Sequence, residues 1–339
     1  MSRTIGIDYD VHPYSDSDEP RVLHLLKTSL GEGPTGIRTD HFFRWKHVDN
    51  PFGRSFMLIA EHEGNLVGFR SFMRWRLQAA AGELHAVRAV DTATHPEYQG
   101  RGIFSRLTRD ALDALTGDAD LVFNTPNDKS GPGYLKMGWT RVAPVPVAVR
   151  VRRPLRFASN LSSLKSGAPN RARPQIDAEP VARVLAHETD LADLFACQRA
   201  DGRLATPRSL EYLRWRYSGA RGLDYHAVII EGSAGLDGIA IFRVRARGAL
   251  WETTIAEVIV RPGDERAARE VLRRATRAAR VDHITTHSPD GSAAARACPR
   301  AGFVPSRRGL VLFVNPLRSD LQPAPTALSS WALSLGDVE

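Results

Sequence analysis

The sequence predicts an α/β protein made of two tandem copies of one domain, each a mixed, mostly antiparallel sheet flanked by helices. Three observations predict it: an internal echo at a nearly constant offset, a hairpin pattern at 55–73, and a strand–loop–helix–strand succession over 84–124.

The echo is the strongest of the three. "HFFRWKHVDNPFG" at 41–53 returns as "EYLRWRYSGARG" at 211–222, with Trp45 matched to Trp215 at an offset of 170 (215 − 45). In the same register "EHEGNLVGFRSF" at 61–72 meets "EGSAGLDGIAIF" at 231–242, and Gly68 falls on Gly238. Later, "YLKMGW" at 134–139 meets "CPRAGF" at 298–303, with Gly138 on Gly302 at an offset of 164. Three anchors in order outweigh chance similarity between short segments. The chain is therefore expected to divide into a first domain at 1–150, a linker at 151–178 and a degenerate second copy at 179–316. A tail at 317–339 follows, whose Trp331, Leu333 and Leu335 form an apolar stripe expected to dock on the body.

The elements follow in order. Residues 55–60 and 66–73 read as two strands around the turn "EGN", a hairpin signal. Residues 84–92 form a third strand leading into "HPEYQGRGIFSRL" at 95–107, where Gly100 and Gly102 flank Arg101. From Ile103, the apolar positions Leu107, Ala111 and Leu115 recur every four residues, which places them on one face of a helix. A short apolar run at 120–124 then reads as a buried strand.

Bulk properties narrow the function. At 339 residues, with 42% hydrophobic and 25% charged residues, the chain reads as two soluble globular domains. It shows neither an apolar run of membrane-spanning length nor a basic-then-apolar leader, so a cytoplasmic protein without a membrane partner is expected. Two cysteines, Cys197 and Cys298, are too few for a disulfide framework or a cysteine-rich metal site, and no metal is expected. The net charge of +8 comes from 46 basic residues, only five of them lysine, spread along the whole chain. Nucleic-acid binders gather such charge on one face, so no nucleic-acid partner is expected. The oligomeric state is open.

Paired glycines before a helix suit an anion, because the helix N-terminus offers unpaired N–H groups and a partial positive charge. A Walker A loop would need Lys-Ser or Lys-Thr after the glycines, and a dinucleotide fingerprint a third glycine; neither is present. What remains is Q-x-x-G-x-(G/A), with Gln99 and Gly102 in place and Phe104 at the last small position. A second segment, "NDKSGPGYLKMGW" at 127–139, fits N-x-x-A-x-x-L-Y-x-x-x-G-F through Asn127, Tyr134 and Gly138.

These two motifs, in order and 28 residues apart (127 − 99), resemble the GNAT superfamily of acetyl-CoA-dependent N-acyltransferases. The resemblance covers both halves, but its specific motifs lie within 88–139. It implies that the loop holding Gln99 binds coenzyme A, with the backbone amides of Gly100, Arg101, Gly102, Ile103, Phe104 and Ser105 wrapping its pyrophosphate. It also implies that Ala93 and Thr94 pair with the pantetheine arm, and that Asn127 and Tyr134 face the cofactor. Tyr134, with its hydroxyl near the sulfur, becomes the candidate acid, and Asp91 at the strand end the candidate base.

Each residue also has a plainer reading. Tyr134 without the motif would be a packing residue; Asp91 a solvated or Arg88-paired strand end; His95 and Arg101 surface loop residues. In the second copy the loop becomes "VRPGDERAAREVL" at 260–272, which keeps the helix and loses the glycine pair. The expected function is acyl transfer from acetyl-CoA or another acyl-CoA to a primary amine on a small molecule. A silent acyl-CoA-binding or interaction protein on the same scaffold is the alternative. Amino sugars, small amines, antibiotics, peptides and protein lysines all remain open as acceptors.

Overall fold

A computed structural model describes residues 8–31, 37–161, 164, 167–198, 201–233, 235–306 and 309–338. The chain forms two compact units. The first comprises residues up to Leu77, Gly82–Val142 and Leu312–Thr326; the second Gln78–Ala81, Ala143–Val311 and Ala327 onward.

The first unit carries β1 (Asp10–Pro13), β2 (Phe56–His62), β3 (Asn65–Ala79), β4 (Gly82–Thr94), β5 (Leu121–Asn124) and β6 (Thr140–Pro144). A further strand from near the chain's end, Val311–Pro316 (β14 in chain order), completes a seven-stranded sheet in the order β1-β2-β3-β4-β5-β14-β6. β2 and β3 pair antiparallel, while β4 and β5 run parallel, so the sheet is mixed as expected. α1 (Glu19–Leu30), α2 (Asp40–His47), α3 (Ile103–Leu115) and α4 (Gly131–Lys136) flank it. The four apolar residues that predict α3, Ile103, Leu107, Ala111 and Leu115, are all buried. Gly68 makes this packing possible: a Cβ there would meet Ile103 Cγ2 at 2.5 Å.

The second sheet, in the order β13-β7-β12-β11-β10-β9-β8, contains β7 (Val147–Val151), β8 (Glu179–Pro180), β9 (Tyr225–Gly232) and β10 (Gly235–Arg247). It is completed by β11 (Leu250–Val260), β12 (His283–Thr286) and β13 (Val304–Ser306). Its helices are α5 (Pro154–Ser159), α6 (Val181–Val184), α7 (Glu188–Ala196), α8 (Leu210–Ser218), α9 (Glu265–Arg277), α10 (Ala293–Ala297) and α11 (Leu335–Val338).

The units repeat fine backbone detail at the 170-residue offset. Ala60 pairs with Gly68 and Glu61 with Leu66, bulging out Val67; Ile230 pairs with Gly238 and Glu231 with Leu236, bulging out Asp237. Each bulged carbonyl accepts a hydrogen bond, from His95 N to Val67 O at 2.9 Å and from Arg261 N to Asp237 O at 3.2 Å. Asp91 thus corresponds to Glu257, four residues before these amides.

Two boundaries differ from the expected ones. The first unit does not end at 150, and the second does not end at 316: β7 pairs with β12, and β14 pairs with β5. β5 is wholly buried, so its backbone groups need partners on both edges, and β14 supplies the second. The segment 151–178 is also no free linker. Arg156 and Arg171 both reach the buried carboxylate of Asp282, at 3.3 and 3.4 Å, and Trp251 Nε1 donates to Arg171 O at 3.1 Å. In the tail, Trp331, Leu333 and Leu335 are buried in the second unit.

Candidate functional site

The glycine loop leads into α3. Gly100 and Gly102 adopt φ of 76° and 81°, and a Cβ on either would have open space around it. Glycine is needed here for the left-handed backbone rather than for close packing. Gly102 is the residue before α3, and no side chain caps that helix end, which also lacks an acid in its first turn. Arg106 N makes a helical bond back to Gly102 O at 2.9 Å. The preceding amides, those of Ile103, Phe104 and Ser105, belong to the first turn, where a helix offers donors without helical acceptors. Gln99 is exposed and its side chain donates to Thr94 O at 3.4 Å; Arg101 lies over the Tyr98 ring at 5.2 Å.

The matching helix end in the second unit is closed from within. Asp264 caps α9 by accepting from Ala267 N at 2.8 Å, and Glu265 follows in the first turn. A built-in carboxylate occupies the position an anion would take.

Beside the loop, β4 and β5 pair through Ala86–Leu121, Val87–Val122 and Arg88–Phe123. β4 then runs on to Thr94, beyond those registered pairs. This stretch contains Ala93, whose side chain is buried in the core with Phe43 and Phe69, and Thr94 at the strand end.

Tyr134 lies on α4, 4% exposed, and its hydroxyl accepts from Arg70 Nη1 at 2.9 Å. Its ring packs edge-on against Phe104, with centroids 5.5 Å apart, and against Trp139 at 5.0 Å. Phe104 departs from the motif's small residue, and Gly133 departs from the motif's leucine. The two departures compensate each other: a Cβ on Gly133 would meet a ring carbon of Phe104 at 2.9 Å. The Phe104 ring fills the volume that Gly133 gives up. Asn127 is exposed, and its Oδ1 accepts from Lys129 N and Ser130 N, both at 3.0 Å. That oxygen shapes the turn into α4, which leaves the Asn127 amide NH₂ as the group free to face a ligand.

Asp91 does not have the surroundings of a base. Its carboxylate receives Lys46 Nζ at 2.7 Å, His47 Nε2 at 3.0 Å and Arg38 Nη1 at 3.3 Å. Burial raises its pKa, but the Lys46 charge and the His47 hydrogen bond outweigh burial and hold it well below the usual carboxylate range. Burial pushes the His47 pKa down, so a neutral ring donates from Nε2 to Asp91 and accepts at Nδ1 from Ser55 Oγ at 2.9 Å. A carboxylate so stabilised takes up a proton poorly. The second unit repeats the cluster, with Arg208 and Tyr217 lying 170 residues after Arg38 and His47, and Glu257 166 after Asp91: Arg208 donates to Glu257 at 3.2 Å, and the Tyr217 hydroxyl at 2.7 Å. A unit without the glycine loop keeps the same arrangement, so the expectation of Asp91 as base gives way to an anchoring role for α2.

Arg70, Thr92, Arg38, Lys46 and His47 escaped the sequence reading. Arg70 alone left a trace there, as a cation inside the apolar run "LVGFRSFM". Among the described residues no group of side chains is suited to hold a metal ion, and no helix is long and apolar enough to cross a membrane.

Residues 10–142 match the family model described as an acetyltransferase (GNAT) domain. No curated protein matches the chain in sequence. Among solved structures, it is similar to a probable N-acyltransferase from Enterococcus faecalis, with TM-score 0.65 and 13% identity over 91% of this chain and 73% of that one. A GCN5-related N-acetyltransferase from Anabaena variabilis gives TM-score 0.63 and 16% identity over 92% and 73% of the two chains. Another from Kribbella flavida gives 0.56 and 17% over 93% and 72%. At these identities the likeness is one of fold.

Proposed function

We propose, from the match of residues 10–142 to a GNAT acetyltransferase domain, that the first unit transfers an acetyl group from acetyl-CoA to a primary amine on a small molecule. The observation that carries this reading is the α3 N-terminus, uncapped and preceded by two left-handed glycines. Its amides and partial charge suit a pyrophosphate. The stretch of β4 around Ala93 and Thr94, beyond its registered pairs with β5, takes the pantetheine arm, which directs the thioester toward Tyr134.

In this mechanism the amine nitrogen attacks the thioester carbonyl carbon, the C–S bond breaks, and the thiolate takes the Tyr134 proton. The amine gives up one proton to solvent, and the phenolate recovers one, so the net products are the amide and free coenzyme A. No covalent enzyme intermediate is needed. The second unit is a degenerate copy without a donor site of its own.

Release of free thiol from acetyl-CoA in the presence of an amine panel tests the reading. Tyr134→Phe removes only the hydroxyl and keeps the ring contacts. General acids contribute ~10²–10⁴ in rate, and a thiol is a good leaving group, so a loss near ~10² is expected in kcat with little change in acetyl-CoA affinity. Turnover equal to the parent at every pH would make Tyr134 a packing residue. Binding of acetyl-CoA without turnover of any amine would favour the silent binding protein.

A further inference from the structure

Arg70 is a cation in the wrong place for a purely structural residue. It sits in the middle of β3, 0% exposed, and among the described residues no carboxylate pairs with it. Its Nη1 donates to Thr92 Oγ1 and to Tyr134 Oη, while Nε and Nη2 are buried without a hydrogen-bond partner. The guanidinium lies over Phe72 at 4.4 Å, Tyr134 at 5.4 Å and Phe104 at 5.6 Å. Aromatic faces soften the burial of a cation, yet leaving two of its nitrogens without an acceptor is costly. An apolar side chain would fill this position at less expense.

We propose that Arg70 is a positioning residue that aims the Tyr134 proton and stabilises the charge left behind when that proton leaves. This rests on the reading of Tyr134 as the acid. A guanidinium can only donate, so in the Arg70–Tyr134 contact the phenol oxygen must accept. One lone pair of Oη is thereby committed to Arg70, and the O–H bond points away from it. Once the proton passes to the departing thiolate, Oη becomes an anion in a site that excludes water. A fixed positive group at 2.9 Å then acts where charge develops, in a low-dielectric setting where it is worth most. Thr92 on the same nitrogen holds the guanidinium against β4.

A double-mutant cycle on the full chain separates this role from packing. The proteins compared are the parent, Arg70→Met, Tyr134→Phe and the double variant, read by kcat and by KM for acetyl-CoA, with Arg70→Lys as the conservative rescue. Arg70→Met should lower kcat by no more than the ~10²-fold of Tyr134→Phe, leave KM nearly unchanged, and cause no further loss in the Tyr134→Phe background. Arg70→Lys keeps a charge and a donor and should recover part of the rate. If Arg70→Met does not fold, Arg70→Lys takes its place in the cycle, with a partial loss expected that vanishes beside Tyr134→Phe. Additive losses, or an Arg70 variant as fast as the parent, would overturn the proposal and leave the acyltransferase reading standing. A Tyr134→Phe variant as fast as the parent would overturn the proposal together with the role of Tyr134 as acid, and a parent that transfers no acyl group would overturn the acyltransferase reading as well.

Discussion

His47 Nε2 lies 3.0 Å from a carboxylate oxygen of Asp91, and 170 residues later the Tyr217 hydroxyl donates to Glu257 in the corresponding place. In both units a residue of the helix after the capping Thr39 or Ser209 is tied to the end of the central strand, with Arg38 or Arg208 on the same carboxylate. The pair exchanges chemistry and keeps geometry, which marks it as architecture.

Asp91→Asn should therefore destabilise the first unit and leave coenzyme binding in place once the protein is folded. Removing one partner of a buried ion pair costs roughly 3–5 kcal/mol, and Asp91, with its side chain 14% exposed, falls toward the lower end. Its pKa is depressed in the folded chain, so its ionisation favours folding throughout the range above the ordinary carboxylate value of about 4. That contribution fades as pH falls below about 4. Denaturant melts of parent and variant from pH 7 down to pH 3 should show the gap between them closing in acid. A gap that stays constant with pH would refute the ion-pair account.

Only the first unit should bind the acyl donor, because Asp264 already occupies the helix end in the second. Calorimetric titration with acetyl-CoA should give one site per chain. Gly102→Ala should weaken that site and lower stability by about 1–2 kcal/mol, the usual strain of a left-handed residue with a Cβ. Two sites per chain, or a Gly102→Ala protein that binds like the parent, would count against the cradle.

Phe104 and Gly133 should behave as one unit. Gly133→Ala alone drives a methyl group into the Phe104 ring, and overpacking of this kind costs about 1–3 kcal/mol. Combined with Phe104→Ala, the same substitution should cost little, since the ring is gone. Thermal melts of the four proteins check this, and strictly additive shifts would show that the two positions are independent.

Much of the fold was legible in local pattern. The period of Ile103, Leu107, Ala111 and Leu115 marked α3, and the alternation on either side of "EGN" marked β2 and β3, because burial of one face imposes those spacings on any chain. The glycine pair announced a left-handed loop for a similar reason: Gly alone adopts that backbone without strain. The recurrence of Trp45 and Trp215 pointed to a second copy, and the units do share the Val67 and Asp237 bulge.

What the sequence by itself determined is thus what short stretches must do to bury an apolar face or turn the chain. Only the tertiary structure decided that β14 completes the first sheet and β7 the second, since which strand edge meets which is a contest between distant segments. Only it decided that Asp91 is consumed by Lys46, His47 and Arg38, and that Arg70, 64 residues from Tyr134, lies against its hydroxyl. A carboxylate or a guanidinium looks the same in any sequence. Its charge acquires meaning from the groups that folding places within about 3 Å of it, where hydrogen bonds and unscreened electrostatics act.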